Sequence, residues 1–351
     1  MISHISSSSE CKSQRLIALD MLRFLSILSV IAIHTFDTNV TLYHIASKLR
    51  VWAVPEFLMI SFFIAAHKIH KPDFITRRIK SFIIPYLCFT TFYVIIRLFK
   101  RYALDNYIDW SIISQLWSIY LFGGACSQLY YIPMYLLYLI TVSFVIRLIN
   151  KKGNLILNNI RKTSYLTVFS IFLSLFGLFV IFPFLFLNLK LSDPYFLAFM
   201  RRYFENFSYP FIAILIFYIY QSDVYSNFVQ KPLFKLLMLS SIVFIYICRV
   251  EYFPIIRIVL CTFIFLLALD FNRGLSKYKF TKLFTSIASV SMGVYLLHPF
   301  FIETSQILVG RFLNVKLDSL IVTFCVWLFG GVICSYLLTF SYQKMIYERK
   351  S

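Results

Sequence analysis

The feature that most constrains this chain is a succession of unbroken apolar runs, each roughly 15 to 22 residues long, with short polar stretches between them. A helix of about 20 apolar residues crosses the hydrocarbon of a bilayer and pairs its own backbone polar groups, which lipid requires. A membrane barrel would instead show turn-separated, alternating segments of ~10 residues, and the sequence has none. Composition agrees, at 60% hydrophobic, 19% aromatic and only 14% charged, too apolar for a water-soluble domain. The expectation is therefore an all-α, polytopic integral membrane helical bundle.

The runs suggest about ten transmembrane helices, near Leu16–Phe36, Val51–Ala66, Ser81–Ile96, Gln128–Ile149, Tyr165–Leu187, Phe207–Tyr220, Leu233–Cys248, Phe253–Phe271, Phe284–Ile307 and Leu320–Tyr342. Pro55 is read as a first-turn residue opening the second span. The stretch at 111–125, SIISQLWSIYLFGGA, is short and amphipathic and is expected to lie in the interface or to re-enter, and a loop with Lys190, Asp193, Arg201, Arg202 and Glu205 is expected after the fifth span. The formal charge of +19 comes from Lys and Arg in small groups beside apolar runs, the pattern of positive-inside anchoring and not of a nucleic-acid surface. The densest group, between the second and third spans, holds His67, Lys68, His70, Lys71, Arg77, Arg78 and Lys80. Placing it in the cytosol puts both termini there, with a cytoplasmic tail at 1–14, the membrane domain at 15–342 and a second tail at 343–351. The first span is expected to be retained, because no small-residue cleavage site follows it. Seven cysteines show no CxxC pair and no His at metal spacing, so they are read as small core hydrophobes, and no metal site is expected.

Within the first span, Asp20, Arg23 and His34 are ionisable where lipid disfavours charge, which marks a functional site by default. Eleven residues turn a helix three times with only ~20° left over, so Arg23 and His34 share a face ~16 Å apart, with Asp20 one turn below Arg23. The residues alone leave a second reading open, in which Arg23 snorkels to one interface and His34 is interfacial at the other.

The pattern Asp20-x-x-Arg23 followed by ten residues and His34 resembles the opening of the acyltransferase 3 family, membrane enzymes that acylate carbohydrates. Further matches follow in order: VPEFLMISFFIA (Val54–Ala65), FITRRIKSFIIPYL (Phe74–Leu87) as the family's basic loop, QLYYIP (Gln128–Pro133), and SMGVYLLHP (Ser291–Pro299). Departures are Phe62 after Ser61 where Gly is usual, Gln128 for His, Tyr130 for Trp, and an Arg-x-x-Arg in which Arg77 meets Lys80 and Arg78 meets Ser81.

The resemblance implies transfer of an acyl group, most often acetyl, from cytoplasmic acyl-coenzyme A as co-substrate to a hydroxyl of a cell-surface or lipid-linked carbohydrate, at the cytoplasmic (plasma) membrane. His34 would serve as base or acyl carrier, and Arg23, with Asp20, would orient the donor or balance its leaving thiolate. Arg77, Arg78 and Lys80 would hold the coenzyme A phosphates, although topology alone also accounts for a basic loop there. Gln128, Tyr130, Tyr131, Ser291, Tyr295 and His298 are possible supporting residues, His298 being also readable as a structural tie at the Pro299 kink. A transporter or flippase of a glycan or lipid intermediate is the competing class. It would be expected to show internal repeats and Gly- or Pro-broken helices, and the sequence has nine glycines and no visible repeat.

Overall fold

The computed structural model describes residues 16–36, 40–66, 68–69, 71–107, 110–150, 156–181, 193–250, 252–275, 281–312 and 319–348. The tail at 1–14, residues 37–39, His67, His70, the linker at 151–155, the far end of the fifth span (182–187), Lys190 and residues 349–351 lie outside the described residues.

Every regular element among the described residues is helical. The chain runs α1 (Ile17–Thr35), α2 (Val40–Ala65), α3 (Pro72–Asp105), the short α4 (Trp110–Ser114) and α5 (Leu116–Phe122), α6 (Tyr131–Asn150) and α7 (Ile156–Phe176). It continues with α8 (Pro194–Asn206), α9 (Tyr209–Tyr220), α10 (Pro232–Ile247), α11 (Pro254–Leu275), α12 (Thr281–Ile307), α13 (Leu320–Cys325) and α14 (Ser335–Glu348). A wider π-type segment, Val326–Cys334, joins α13 to α14 into one rod. Five helical stretches among the described residues are long and apolar enough to cross a bilayer: Ile17–Thr35, Asp73–Ala103, Ile160–Ile181, Pro254–Phe271 and Leu320–Lys344. The outward faces carry large apolar side chains such as Leu233 (78% exposed), Ile247 (73%) and Ile321 (71%), a surface that only lipid tolerates. The chain is an all-α, multi-pass membrane bundle.

The first helix sits inside that bundle. It packs against α2, α11, α12 and the Val326–Cys334 segment, and its hydroxyls are satisfied locally, Ser26 Oγ donating to the Leu22 carbonyl at 2.9 Å and Thr35 Oγ1 to the Ile31 carbonyl at 2.9 Å. Gly331 permits the close approach of the last rod, because a Cβ there would stand 2.3 Å from Ile31 Cγ2.

Several expected boundaries move. The second helix begins at Val40, so Pro55 lies in its interior and not at its first turn. An interior proline removes one N–H and leaves the carbonyl four residues earlier, here Val51, without its helical partner. Arg257 on α11 supplies it, Nε donating to the Val51 carbonyl at 2.7 Å, while its Nη1 lies 3.9 Å from Glu205. An unexplained intramembrane arginine and an unexplained mid-helix proline thus account for each other. The expected basic loop is not a loop: Pro72 opens α3 and Arg77, Arg78 and Lys80 lie on its first turns, because the run from Asp73 holds no breaker before Pro85. The polar stretch with Arg201, Arg202 and Glu205 is likewise helical, started by Pro194 and capped by Asp193, whose Oδ1 accepts from the Tyr195 and Phe196 amides at 2.9 and 3.1 Å. The segment at 111–125 forms α4, α5 and a turn, too short to span. The last helix continues beyond Tyr342 to Glu348. Of the described cysteines only Cys261 is buried, while Cys88, Cys248 and Cys325 are exposed, since an apolar run has a lipid side as well as a core side.

Candidate functional site

The site is built on α1, α6, α12 and the turn that leads into α6. Asp20 is buried and lies 4.0 Å from Arg23, Oδ1 to Nη1, near one end of α1. His34 stands at the other end. Its ring centroid is 5.4 Å from that of His298 on α12, and its Nδ1 is 3.4 Å from the Ser127 hydroxyl. His298 is fully buried and its Nδ1 is 3.2 Å from the Val294 carbonyl, yet its Nε2 has no hydrogen-bond partner. One ring nitrogen is therefore engaged by the backbone of its own helix, while the other is uncommitted.

Ser127 reaches His34 because of how α5 ends. Gly123 adopts φ 74°, a left-handed conformation that closes the helix, and a Cβ there would lie 2.4 Å from the Tyr130 amide nitrogen. The turn from 123 to 130 consequently folds back upon itself, bringing Ser127 to His34. The Tyr295 hydroxyl donates to the Gln128 carbonyl and fixes the turn to α12. Gln128 is 1% exposed and its side-chain amide lies beside Tyr93 and Cys126 without a well-formed hydrogen bond, a buried donor and acceptor open to a ligand. Tyr130 is half-buried beneath the Arg202 guanidinium, 3.9 Å from its ring centroid.

A ladder of aromatic side chains runs from the histidine pair toward the basic end of α3. Tyr295 lies 6.0 Å from His298 and 5.6 Å from Tyr131, and Tyr131 stacks on Tyr135 at 6.1 Å. The Tyr135 hydroxyl accepts from Arg78 Nε at 3.4 Å. Arg23 and Arg78 both lie within electrostatic reach of Tyr131. Ser291, Tyr295 and His298 recur at four and seven residues along α12 and so share a face, with Ser291 half-buried at its start.

Three expected partners separate here. Arg78 turns inward to Tyr135 and over the Phe82 ring at 5.2 Å, whereas Arg77 folds back onto its own helix, Nε donating to the Asp73 carbonyl at 3.1 Å, and with Lys80 is exposed. Sequence reasoning passed over Ser127, and it placed Arg202 in a loop. Ser127 carried no signal beyond adjacency to the QLYYIP box, while Arg202 sits on the strongly amphipathic α8, whose 3.6-residue period was readable. Among the described residues no cluster of three or more His, Cys, Asp or Glu converges as a metal site would require.

A family model described as an acyltransferase domain matches residues 16–340, a span that includes the α1 residues, the Gln128 turn and the α12 histidine. No curated protein and no solved structure matches the chain significantly. A match over nearly the whole length, on a helical membrane bundle that brings the two histidines together, decides the question: the chain belongs to the acyltransferase 3 family, membrane acyltransferases that act on carbohydrates.

Proposed function

We propose that this chain transfers an acetyl group from cytoplasmic acyl-coenzyme A to a hydroxyl of a cell-surface or lipid-linked carbohydrate, at the cytoplasmic membrane. The observation that carries the reading is the meeting of His34, His298 and Ser127 at one end of a bundle whose other end presents Arg78 to the same aromatic ladder. A sugar hydroxyl is a poor nucleophile at neutral pH and needs a base within hydrogen-bond reach. The Ser127 hydroxyl, 3.4 Å from Nδ1, gives the His34 imidazole a polar neighbour that orients the ring. The hydroxyl proton passes to His34 as the new C–O bond forms and the thioester C–S bond breaks, and the proton then neutralises the coenzyme A thiolate. In the two-step version a His34 ring nitrogen attacks the thioester carbonyl, the C–S bond breaks and the coenzyme A thiolate takes the ring proton; the sugar hydroxyl then attacks the acetyl-imidazole, its proton returning to the ring as the C–N bond breaks.

Arg23, paired with Asp20, and Arg78 supply fixed positive charge for the donor's phosphates or for the leaving thiolate. Gln128 offers its unpaired amide to the acceptor or to the acyl carbonyl. Tyr130, Tyr131, Tyr295 and Ser291 form the wall between the donor end and the histidine end. Arg77 and Lys80 contribute at the surface as a diffuse attraction for the polyanionic donor.

The test is incubation of purified protein in nanodiscs with radiolabelled acetyl-coenzyme A, wild type beside His34→Ala and Arg23→Ala. Wild type releases coenzyme A, His34→Ala binds the donor without turnover, and Arg23→Ala loses donor binding or turnover. Label trapped on wild-type protein and absent from His34→Ala selects the two-step version. Failure of folded wild type to bind or consume the donor overturns the assignment.

A further inference from the structure

A cavity of about 810 Å³ reaches Ser127, the neighbour of His34, and none of the residues discussed as donor contacts lines it. Its walls come from the second half of α3, the start of the 123–130 turn, α8 and the end of α12. Ser127 belongs both to this wall and to the contact with His34, so the cavity communicates with the reacting imidazole through one hydroxyl.

The lining has a definite chemistry. Arg97, Lys100 and Arg101 face Glu303 as the one carboxylate, an excess of two positive charges. Lys100 Nζ lies 3.0 Å from Glu303 Oε2, so the one carboxylate of the lining is engaged by the lysine and not by Arg97. Arg97 donates through one Nη to the Tyr195 hydroxyl at 3.0 Å, which holds the guanidinium in place, and the other donors of its fork remain for a ligand. Tyr93, whose hydroxyl donates to the Leu296 carbonyl at 2.7 Å, and Tyr195 give aromatic wall on either side. The volume lies in the range of specific ligand sites. A planar arginine fork held by a tyrosine is suited to a carboxylate or a phosphate.

We propose that this cavity is the acceptor site and that the acceptor is an anionic sugar, its carboxylate or phosphate held by Arg97 and its reactive hydroxyl directed past Ser127 to His34. The inference rests on the acyltransferase reading above and adds the class of acceptor to it. It makes Arg97 a specificity determinant for charge: neutral sugars lose the arginine contact and bind weakly. The donor's own phosphates are the alternative source of the same chemistry, and they are separated from the acceptor in the test.

The experiment is thermal unfolding of the full chain in nanodiscs with glucuronic acid, glucose 6-phosphate, glucose, inorganic phosphate or desulfo-coenzyme A. The acidic sugars are expected to raise the midpoint by roughly 2–4 °C, glucose by less than a quarter of that, and Arg97→Gln abolishes the shift. With saturating desulfo-coenzyme A present the acidic-sugar shift persists. No shift with either acidic sugar, an equal shift with glucose, a full shift with inorganic phosphate alone, or cancellation by desulfo-coenzyme A each overturns the proposal. Donor turnover, followed separately, reports on the acyltransferase reading, so failure of one is distinguishable from failure of the other.

Discussion

The pairing of Pro55 with Arg257 makes a quantitative prediction. In wild type the Val51 carbonyl, deprived of its helical N–H by Pro55, accepts from Arg257 Nε at 2.7 Å, with the Cys261 thiol farther off at 3.9 Å. Arg257→Met leaves the carbonyl with the weak thiol contact only, a buried acceptor whose loss of partner costs about 1–3 kcal/mol. It also removes the 3.9 Å contact to Glu205, but Glu205 keeps Arg201 at 2.9 Å, so that part is small and common to any background. Pro55→Ala restores an N–H aimed at the same carbonyl, so the double variant should recover about 1–1.7 kcal/mol relative to the sum of the single effects. Polar contacts within membrane bundles often measure lower, with ~1.7 kcal/mol near the upper end, which sets the ceiling of the cycle. The assay is thermal unfolding of wild type, both single variants and the double variant in one detergent, where a coupling of this size moves the midpoint by a few degrees. Single effects that add to within about 0.3–0.5 kcal/mol would refute the assignment of Arg257 to the proline-freed carbonyl.

Arg78→Gln lowers kcat/KM for acetyl-coenzyme A by ~10-fold or more, while Arg77→Gln and Lys80→Gln, both at exposed positions, each change it less than ~3-fold; equal effects in donor titrations would contradict the inward placement of Arg78 alone. Gly123→Ala forces an L-residue to φ 74° with its Cβ 2.4 Å from the Tyr130 nitrogen, costing about 2–5 kcal/mol and displacing Ser127 from His34, so both unfolding midpoint and turnover fall; a wild-type midpoint would sink the account of the turn. Glu56 is fully buried with neither carboxylate oxygen hydrogen-bonded, so Glu56→Met should raise the midpoint by the few degrees that about 1–3 kcal/mol gives; a fall of that size would mean that the carboxylate has a structural partner.

The helical class was legible because the lipid constraint acts residue by residue: a run of apolar side chains needs no knowledge of its neighbours to be read as a helix. Boundaries were less legible where polar residues occur in helices that face protein and not water. Arg201, Arg202 and Glu205 looked like a loop by composition, yet in α8 Arg202 covers Tyr130 while Arg201 and Glu205 pair one turn apart at 2.9 Å. Pro55 misled for a related reason. A proline marks a helix start only if the carbonyl four residues back has no other donor, and that donor, Arg257, lies 206 residues away in sequence.

The site divides along the same line. Arg23 and His34 were readable because a single helix fixes their relation, and periodicity is all that is needed to put them on one face. The meeting of His34 with His298 is a tertiary fact, carried by the packing of α1 on α12, and no spacing within either helix encodes it. Ser127 was the least legible, since its position depends on the positive φ of Gly123 four residues earlier and on the Tyr295 hydroxyl from a different helix. The departures Gln128 and Tyr130 fall in this same turn, the first beside Tyr93 and Cys126 and the second under the Arg202 guanidinium. Burying the Gln128 amide without a well-formed hydrogen bond is a cost that folding alone does not explain, whereas a ligand contact of the kind proposed above would offset it.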